Sequence, residues 1–251
     1  MSVKDKHIVI TGGGTGVGAA IAHRLAADGG RISVLGRRLT PLEEVAAATG
    51  GGAFSCDVTD GSSLDAALQA ARELHGPVAV AVANAGAAAS KPFAKMTPAD
   101  LSAMLEVNLV GVFNLWQACL IDMKSAGWGR LLAISSIAGL KGYAYVSGYC
   151  TAKHAVVGMT RAVAQEVARS GITANAICPG YVETPMLDAS ITNIADKTGG
   201  DPQDAADFLL SLNPMKRFIQ PDEVAATAAW LCAEGARSVN GQAISINGGE
   251  L

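Results

Sequence analysis

The sequence predicts an α/β protein built on a doubly wound parallel sheet of seven strands, with helices on both faces. Short apolar runs rich in β-branched residues alternate with longer Ala-rich amphipathic stretches along the whole chain. These runs are almost continuously apolar, as expected for parallel strands that are covered on both faces. No linker or shift in composition divides the 251 residues, so we expect a single domain over 1–251.

The elements follow one another in a regular order. Strands are predicted at 7–11, 31–35, 53–56, 78–83, 130–135, 173–178 and 243–246. Helices are predicted at 16–28, 41–49, 62–74, 98–124, 149–170 and 222–233. Thr97-Pro98 and Gln220-Pro221 are helix-start signals, because proline is favoured at the first helical position.

Segment 183–217 interrupts the alternation with turn residues around a short amphipathic stretch at 203–212. A long insertion after a late strand lies above the carboxyl ends of the strands, where such sheets bind ligands. The segment is therefore a candidate substrate lid. Its apolar residues either line a substrate channel or pack the lid itself; they are Met186, Leu187, Phe208, Leu209 and Leu212.

Composition excludes several classes of protein. Half of the residues are hydrophobic and 16% are charged, which excludes disorder and indicates more buried surface than one monomer of this size usually has. A net charge of -3 without a basic patch argues against nucleic acid and anionic membranes as partners. The five cysteines and four histidines have no metal-ligand spacing, so we expect no metal and reduced thiols. With no signal peptide and no apolar run of about 18 residues, the expected location is cytoplasmic.

A glycine-rich loop, Thr11-Gly-Gly-Gly-Thr-Gly-Val-Gly18, lies between the first strand and the first helix. Glycines let the backbone approach a pyrophosphate, and the helix N-terminus attracts its charge, so the loop predicts a dinucleotide site. An NAD site usually carries an acid at the end of the second strand, but this chain has Arg37-Arg38. Two guanidinium groups suit the extra phosphate of NADP. We therefore expect NADP(H) to be preferred, with NAD(H) possible if the arginines are merely solvated.

Tyr149 and Lys153 lie four residues apart at the start of a predicted helix, hence on one face. Of the four tyrosines, only Tyr149 has a lysine at this spacing. A phenol titrates near pH 10, so acid/base chemistry at neutral pH favours a lowered pKa. Lys153 and an oxidised nicotinamide are expected to lower it together. Ser136 follows the predicted strand 130–135, at the edge where sites are built.

From end to end, the chain resembles the short-chain dehydrogenase/reductase family. The glycine loop matches the family's first motif, Asp57-Val58 its adenine-side pair, and Ala83-Asn84-Ala85-Gly86 its Asn-Asn-Ala-Gly motif with alanine at the first position. The resemblance implies a Rossmann fold and a catalytic set of Asn108, Ser136, Tyr149 and Lys153. It also implies cofactor contacts from Gly12, Thr15, Gly16, Val17, Gly18, Arg37, Arg38, Asp57, Val58, Asn84, Gly86, Tyr149, Lys153, Pro179, Gly180, Val182 and Thr184.

The implied activity is the interconversion of a ketone and a secondary alcohol, with Tyr149 as general acid/base and Ser136 orienting the oxygen. A 3-oxoacyl or 3-hydroxyacyl substrate, or a bulky apolar one, is favoured, and a small hydroxy acid such as 3-hydroxybutyrate is the alternative. Ketoacyl carrier-protein reductases of this family dock their partner through a basic pair. The corresponding positions in this chain are Gly127 and Ser170, which argues against a carrier-linked substrate. A non-catalytic nucleotide-binding scaffold or sensor is the alternative from another class. The resemblance further implies a homotetramer, packed through the helices that contain Asn108 and Tyr149.

Overall fold

A single parallel sheet organises the computed structural model, which describes residues 3–251. Its strands are β1 (His7–Thr11), β2 (Arg31–Gly36), β3 (Gly52–Ser55), β4 (Val78–Ala83), β5 (Gly129–Ile134), β6 (Ile172–Pro179) and β7 (Ala243–Ile246). They form a seven-stranded sheet in the order β3-β2-β1-β4-β5-β6-β7, and every pairing is parallel. The predicted fold class is confirmed. Strand order reverses between β1 and β4, which opens a crevice at the carboxyl ends of the strands.

Helices connect successive strands and cover both faces of the sheet. They are α1 (Gly16–Ala27), α2 (Leu39–Thr49), α3 (Gly61–His75), α4 (Pro98–Leu105), α5 (Gly111–Ala126), α6 (Ser147–Val167), α7 (Pro185–Thr198), α8 (Pro202–Leu212) and α9 (Pro221–Cys232). Side chains alternate across β1, so Ile8 and Ile10 join the core beneath α1, α2 and α9, whereas Val9 joins the core beneath α3, α5 and α6. The strands are apolar throughout because both faces are buried.

Two predicted helical segments differ from the structure. The segment predicted as one helix at 98–124 comprises α4 and α5, joined by a π-helical turn at Glu106–Val110. The segment 183–217 holds α7 in addition to the predicted stretch at 203–212. The Ser, Thr, Asn and Asp residues of α7 have modest helix propensity, so the sequence pattern did not indicate this helix. Its boundaries nevertheless have ordinary signals, with Pro185 at the start and Gly199 in the left-handed region after the end.

The continuous helical stretch Pro98–Ala126 is unusually apolar. Among residues 3–251 it is the one helix that is long and apolar enough, by length and composition, to cross a membrane, with a mean hydropathy of 1.4. The expectation that no segment reaches this threshold is therefore wrong on composition alone. The stretch is apolar because one side of α5, including Leu115, Cys119 and Met123, packs on the sheet. Core helices of folded domains can be as long and as apolar as this one.

Candidate active site

The glycine-rich loop after β1 lies against the end of β4. Gly12 and Gly16 have φ of 62° and 55°, a region that side-chain-bearing residues rarely adopt. A Cβ on Gly18 would lie 2.4 Å from the Gly12 carbonyl oxygen, so the turn needs glycine there as well. The Asn84 side-chain amide donates to the carbonyl oxygens of Thr11 and Gly12, at 3.0 Å each. Asn84 therefore holds this loop in shape.

The N-terminus of α1 is built to receive an anion. Its N-cap residue, Thr15, makes no side-chain hydrogen bond to the first helical turn. The amides of that turn point out of the helix and their dipoles favour a negative charge. Val17 packs against the core, which fixes the direction of the helix start. The loop and the helix N-terminus together form a cradle for a pyrophosphate.

The side chains at the ends of β2 and β3 flank this cradle. Arg37 and Arg38 are exposed, and within the described part of the chain neither guanidinium has a hydrogen-bond or ion-pair partner. The amide and hydroxyl of Thr59 donate to Asp57, and with Arg37 nearby they hold the pKa of this carboxyl below its usual value. Val58 is buried, and its carbonyl accepts from the side chain of Asn114 at 2.9 Å.

Three polar side chains meet at the carboxyl end of β5. Ser136 is the second residue after the strand, and its hydroxyl accepts from the Ala138 amide at 3.1 Å. Tyr149 lies in the first turn of α6, and Lys153 follows one turn later, with its Nζ 5.5 Å from the centre of the Tyr149 ring. Lys153 is buried and donates to the Ile134 carbonyl at 2.9 Å. The predicted trio therefore shares one edge of the sheet.

Burial shifts the pKa values of two members of this trio. It raises the pKa of Tyr149 to about 12, and the nearby Ser136 hydroxyl opposes the rise only in part. It also lowers the pKa of Lys153 to about 8. The expected lowering of the phenol pKa involves an oxidised nicotinamide together with Lys153, so it stays a prediction for the cofactor-bound protein. Tyr149 is consequently a protonated phenol at neutral pH, a state suited to donating a proton.

Asn108 lies in the π-helical turn and is fully buried. Its side-chain amide donates to the carbonyls of Met104 and Ala87, at 3.0 and 2.8 Å, and its Oδ1 accepts from the Ala87 amide at 3.3 Å. A Cβ on Gly86 would lie 2.8 Å from this Oδ1 and 3.7 Å from Lys153 Nζ. Gly86 thus keeps open the space between Asn108 and Lys153.

The segment after β6 closes the other side of the crevice. Pro179 ends the strand, and the amide of Gly180 donates to Ile246 at 2.9 Å. The Thr184 hydroxyl donates to the Val182 carbonyl at 3.1 Å, while a Cβ on Gly16 would lie 3.0 Å from the Thr184 methyl group. Thr184 therefore lies against the glycine loop.

The lid residues divide into two groups. Leu187 and Leu209 are buried and pack the lid, whereas Met186 and Phe208 are exposed; Leu212 is half-buried. The Lys197 ammonium of α7 donates to the Ser90 carbonyl at 2.7 Å, which ties the lid to the loop after β4.

Sequence reasoning missed one polar group near the site. Glu250, next to the C-terminus, accepts a hydrogen bond from Tyr143, and Tyr143 lies in the loop between Ser136 and Tyr149. No motif pointed to it. The only signal was Gly248-Gly249, a pair that permits a sharp change of chain direction.

A phosphate cradle beside a Ser-Tyr-Lys edge defines the class: a dinucleotide-dependent oxidoreductase acting at a carbonyl or alcohol. The comparisons give the family. Residues 6–194 match the family profile described as short chain dehydrogenase, and the chain belongs to that family. The family binds a nicotinamide cofactor, and this chain is an enzyme that interconverts alcohols and ketones.

Three similar proteins illustrate the match. A putative ketoacyl reductase of Streptomyces coelicolor is 35% identical over 99% of this chain and 98% of its own length. Acetoacetyl-CoA reductase of Cupriavidus necator is 37% identical over 96% of each chain. The structure of an actinorhodin polyketide ketoreductase variant with NADPH superposes with a TM-score of 0.94, at 33% identity over 100% of this chain and 98% of the other. These relatives are enzymes and give no support to the alternative of a non-catalytic scaffold.

Proposed function

We propose that the protein reduces the ketone of a 3-oxoacyl-type or bulky apolar substrate to a secondary alcohol, with NADPH as the preferred cofactor. The observation that carries this proposal is the shared edge of Ser136, Tyr149 and Lys153, where burial keeps the phenol protonated. The names of the relatives, a ketoacyl reductase, an acetoacetyl-CoA reductase and a polyketide ketoreductase, support the substrate class.

Each of the four proposed catalytic residues has a separate role in ketone reduction. Ser136 donates a hydrogen bond to the ketone oxygen and orients it, and Tyr149 gives its proton to that oxygen as negative charge develops there. Lys153, charged below about pH 8, stabilises the tyrosinate left behind. We assign Asn108, held by Met104 and Ala87, to the relay that returns a proton from solvent to Tyr149.

The predicted cofactor residues fit a dinucleotide. The glycine cradle keeps a backbone shape that only glycine allows beside the N-terminus of α1, which suits a pyrophosphate, and Gly86 leaves room beside Lys153 for a ribose. When bound, a reduced nicotinamide supplies the hydride to the ketone carbon. We assign Lys153 to the ribose hydroxyls. We assign the segment from Pro179 to Thr184 to the nicotinamide side, since Thr184 lies against the glycine loop.

Arg37 and Arg38 carry the proposed preference for NADPH. Both are exposed beside the cradle and have no side-chain partner within residues 3–251, which suits binding of the extra phosphate of NADP. Replacing both by alanine is expected to raise the KM for NADPH by about tenfold or more and to leave the KM for NADH nearly unchanged. Initial rates with each cofactor measure this. Arg169→Ala, which removes an exposed arginine outside the candidate site, is the control. An equal rise in the KM for NADPH and for NADH would show that Arg37 and Arg38 do not bind the extra phosphate.

A panel of ketones tests the proposed substrate class. NADPH oxidation is followed with small and bulky 3-oxo compounds, each as a free acid or ester, as a coenzyme A thioester and as a carrier-protein thioester, and the reduction of NADP+ and NAD+ is followed with 3-hydroxybutyrate. We expect turnover of the free or coenzyme A-linked forms, because the carrier-docking positions hold Gly127 and Ser170 rather than a basic pair. Activity confined to 3-hydroxybutyrate oxidation would favour the small-acid alternative, and activity confined to carrier-linked substrates would contradict the docking argument.

We also propose a homotetramer in the cytoplasm. Large apolar side chains on the helical stretch Pro98–Ala126 are exposed in the monomer, including Phe113 at 47% and Ile121 at 71%. Packing this face against a second copy would bury them, in line with the low charge of the chain. The five cysteines are buried and unbridged, which fits a reducing compartment. Light scattering measures the assembly, and a monomeric mass would contradict it.

A further inference from the structure

The C-terminal tail, residues 247–250, leaves β7 and folds over the loop that connects Ser136 to Tyr149. The Tyr143 hydroxyl donates to Glu250 Oε1 at 2.5 Å, and the Lys141 ammonium lies 3.0 Å from the same oxygen. The tail is therefore attached to the loop that connects two of the proposed catalytic residues, Ser136 and Tyr149.

Glu250 is deeply buried for a residue so close to a chain end. Its side chain is 4% exposed, and within residues 3–251 its Oε2 is buried without a hydrogen-bond partner. Burying a carboxylate costs free energy, and an unpaired oxygen adds to that cost. Burial and the neighbouring Glu250 raise the pKa of Tyr143, so Tyr143 remains the donor in this pair. A buried carboxylate with an unpaired oxygen is locally unfavourable, and such features are expected at functional sites.

The tail has a defined shape of its own. The Gly249 amide donates to Asn247 Oδ1 at 3.0 Å, and Asn247 donates to Ser245 at 2.8 Å. Gly248 has a φ of 62°, and a Cβ there would lie 2.2 Å from Oδ1 of Asn213, at the end of α8. The tail is thus fixed against the base of the lid as well as against the loop.

The loop itself is strained. Tyr145, four residues before Tyr149, has a φ of 67°, which is rare for a bulky residue. Its carbonyl accepts from the Lys91 amide at 2.7 Å. Strain of this kind persists only where surrounding contacts prevent the backbone from relaxing. The Lys91 contact holds Tyr145 directly, and the contacts of Glu250 with Tyr143 and Lys141 hold residues that precede Tyr145 in the same loop.

We propose that Glu250 is a positioning residue for the ketone site: through Tyr143 and Lys141 it holds the loop between Ser136 and Tyr149 in its reactive conformation. This inference rests on the proposed ketone reduction. The proposal connects Glu250 with ketone binding and not with cofactor binding. Losing the contact is therefore expected to weaken use of the ketone and to spare NADPH binding.

Glu250→Ala and Tyr143→Phe test the inference, with Glu234→Ala as the control because Glu234 is an exposed glutamate. Kinetics and hydrogen exchange are measured on the full-length protein. We expect Glu250→Ala to raise the KM for the ketone about tenfold, since small misplacements of a positioning loop are costly, while the Kd for NADPH by fluorescence stays within about twofold. Glu250→Gln, which keeps an acceptor for Tyr143, is expected to recover part of the loss.

Hydrogen exchange gives a readout that needs no substrate. The amides of Leu140 and Lys141 both bond to the Ile137 carbonyl, and they are expected to exchange faster in Glu250→Ala than in Glu234→Ala. If the wild type reduces no ketone, the proposed function fails, but faster exchange still supports the attachment of the loop. If Glu250→Ala matches the control in ketone KM and in exchange, or loses NADPH binding equally, the positioning role is wrong.

Discussion

Replacing Tyr149 by phenylalanine is expected to abolish ketone reduction, with kcat falling by about a thousandfold or more. The substitution removes the hydroxyl and leaves the ring, so packing at the start of α6 is retained. Burial raises the pKa of this phenol to about 12, which makes it a stable proton donor at neutral pH. Cofactor binding relies mainly on the glycine cradle, so the Kd for NADPH is expected to change by no more than about twofold.

Tyr145→Phe is the matched control, because it removes a hydroxyl from an exposed tyrosine four residues earlier. Its kcat is expected to equal that of the wild type. Stopped-flow measurement of NADPH oxidation separates the chemical step from product release in both variants. Substantial turnover by Tyr149→Phe in that step would transfer the role of proton donor to another group.

The doubly wound parallel sheet and the position of the site at its edge could be predicted from sequence because they depend on local signals. Each strand is an uninterrupted apolar run, and parallel strands bring their carboxyl ends to one edge. Ser136 follows one such run, and the spacing of Tyr149 and Lys153 places both on one face of a helix. These inferences need no knowledge of distant contacts.

Features that arise from long-range contacts were not predicted. The pKa of Tyr149 depends on how completely other segments exclude water from the phenol, and the pattern around Tyr149 contains no such information. The contact between Tyr143 and Glu250 joins segments 107 residues apart. The π-helical turn around Asn108 differs from an α-helix by one residue in its hydrogen bonding, and the periodicity of the sequence does not resolve it.

Lys153→Met is expected to lower kcat/KM for ketone reduction by about a hundredfold at pH 7, because the tyrosinate formed at Tyr149 then lacks a neighbouring positive charge. The wild type should also lose activity as pH rises through about 8, where buried Lys153 gives up its proton. Tyr149 stays protonated over this range, since its pKa is about 12. The decline is expected to approach tenfold per pH unit and to be absent in Lys153→Met.

Stability supplies an independent check of the same group. Burial lowers the pKa of Lys153 from 10.5 to about 8, so between these values the unfolded chain holds a proton that the folded protein has released. The Lys153 contribution to the free energy of unfolding therefore rises with pH from about 8 to 10.5, and Lys153→Met removes that rise. Lys95→Met, at an exposed lysine, is the control and is expected to leave both profiles unchanged. A wild-type rate profile that stays flat from pH 7 to 10 would show that the charge of Lys153 is not required for proton transfer from Tyr149.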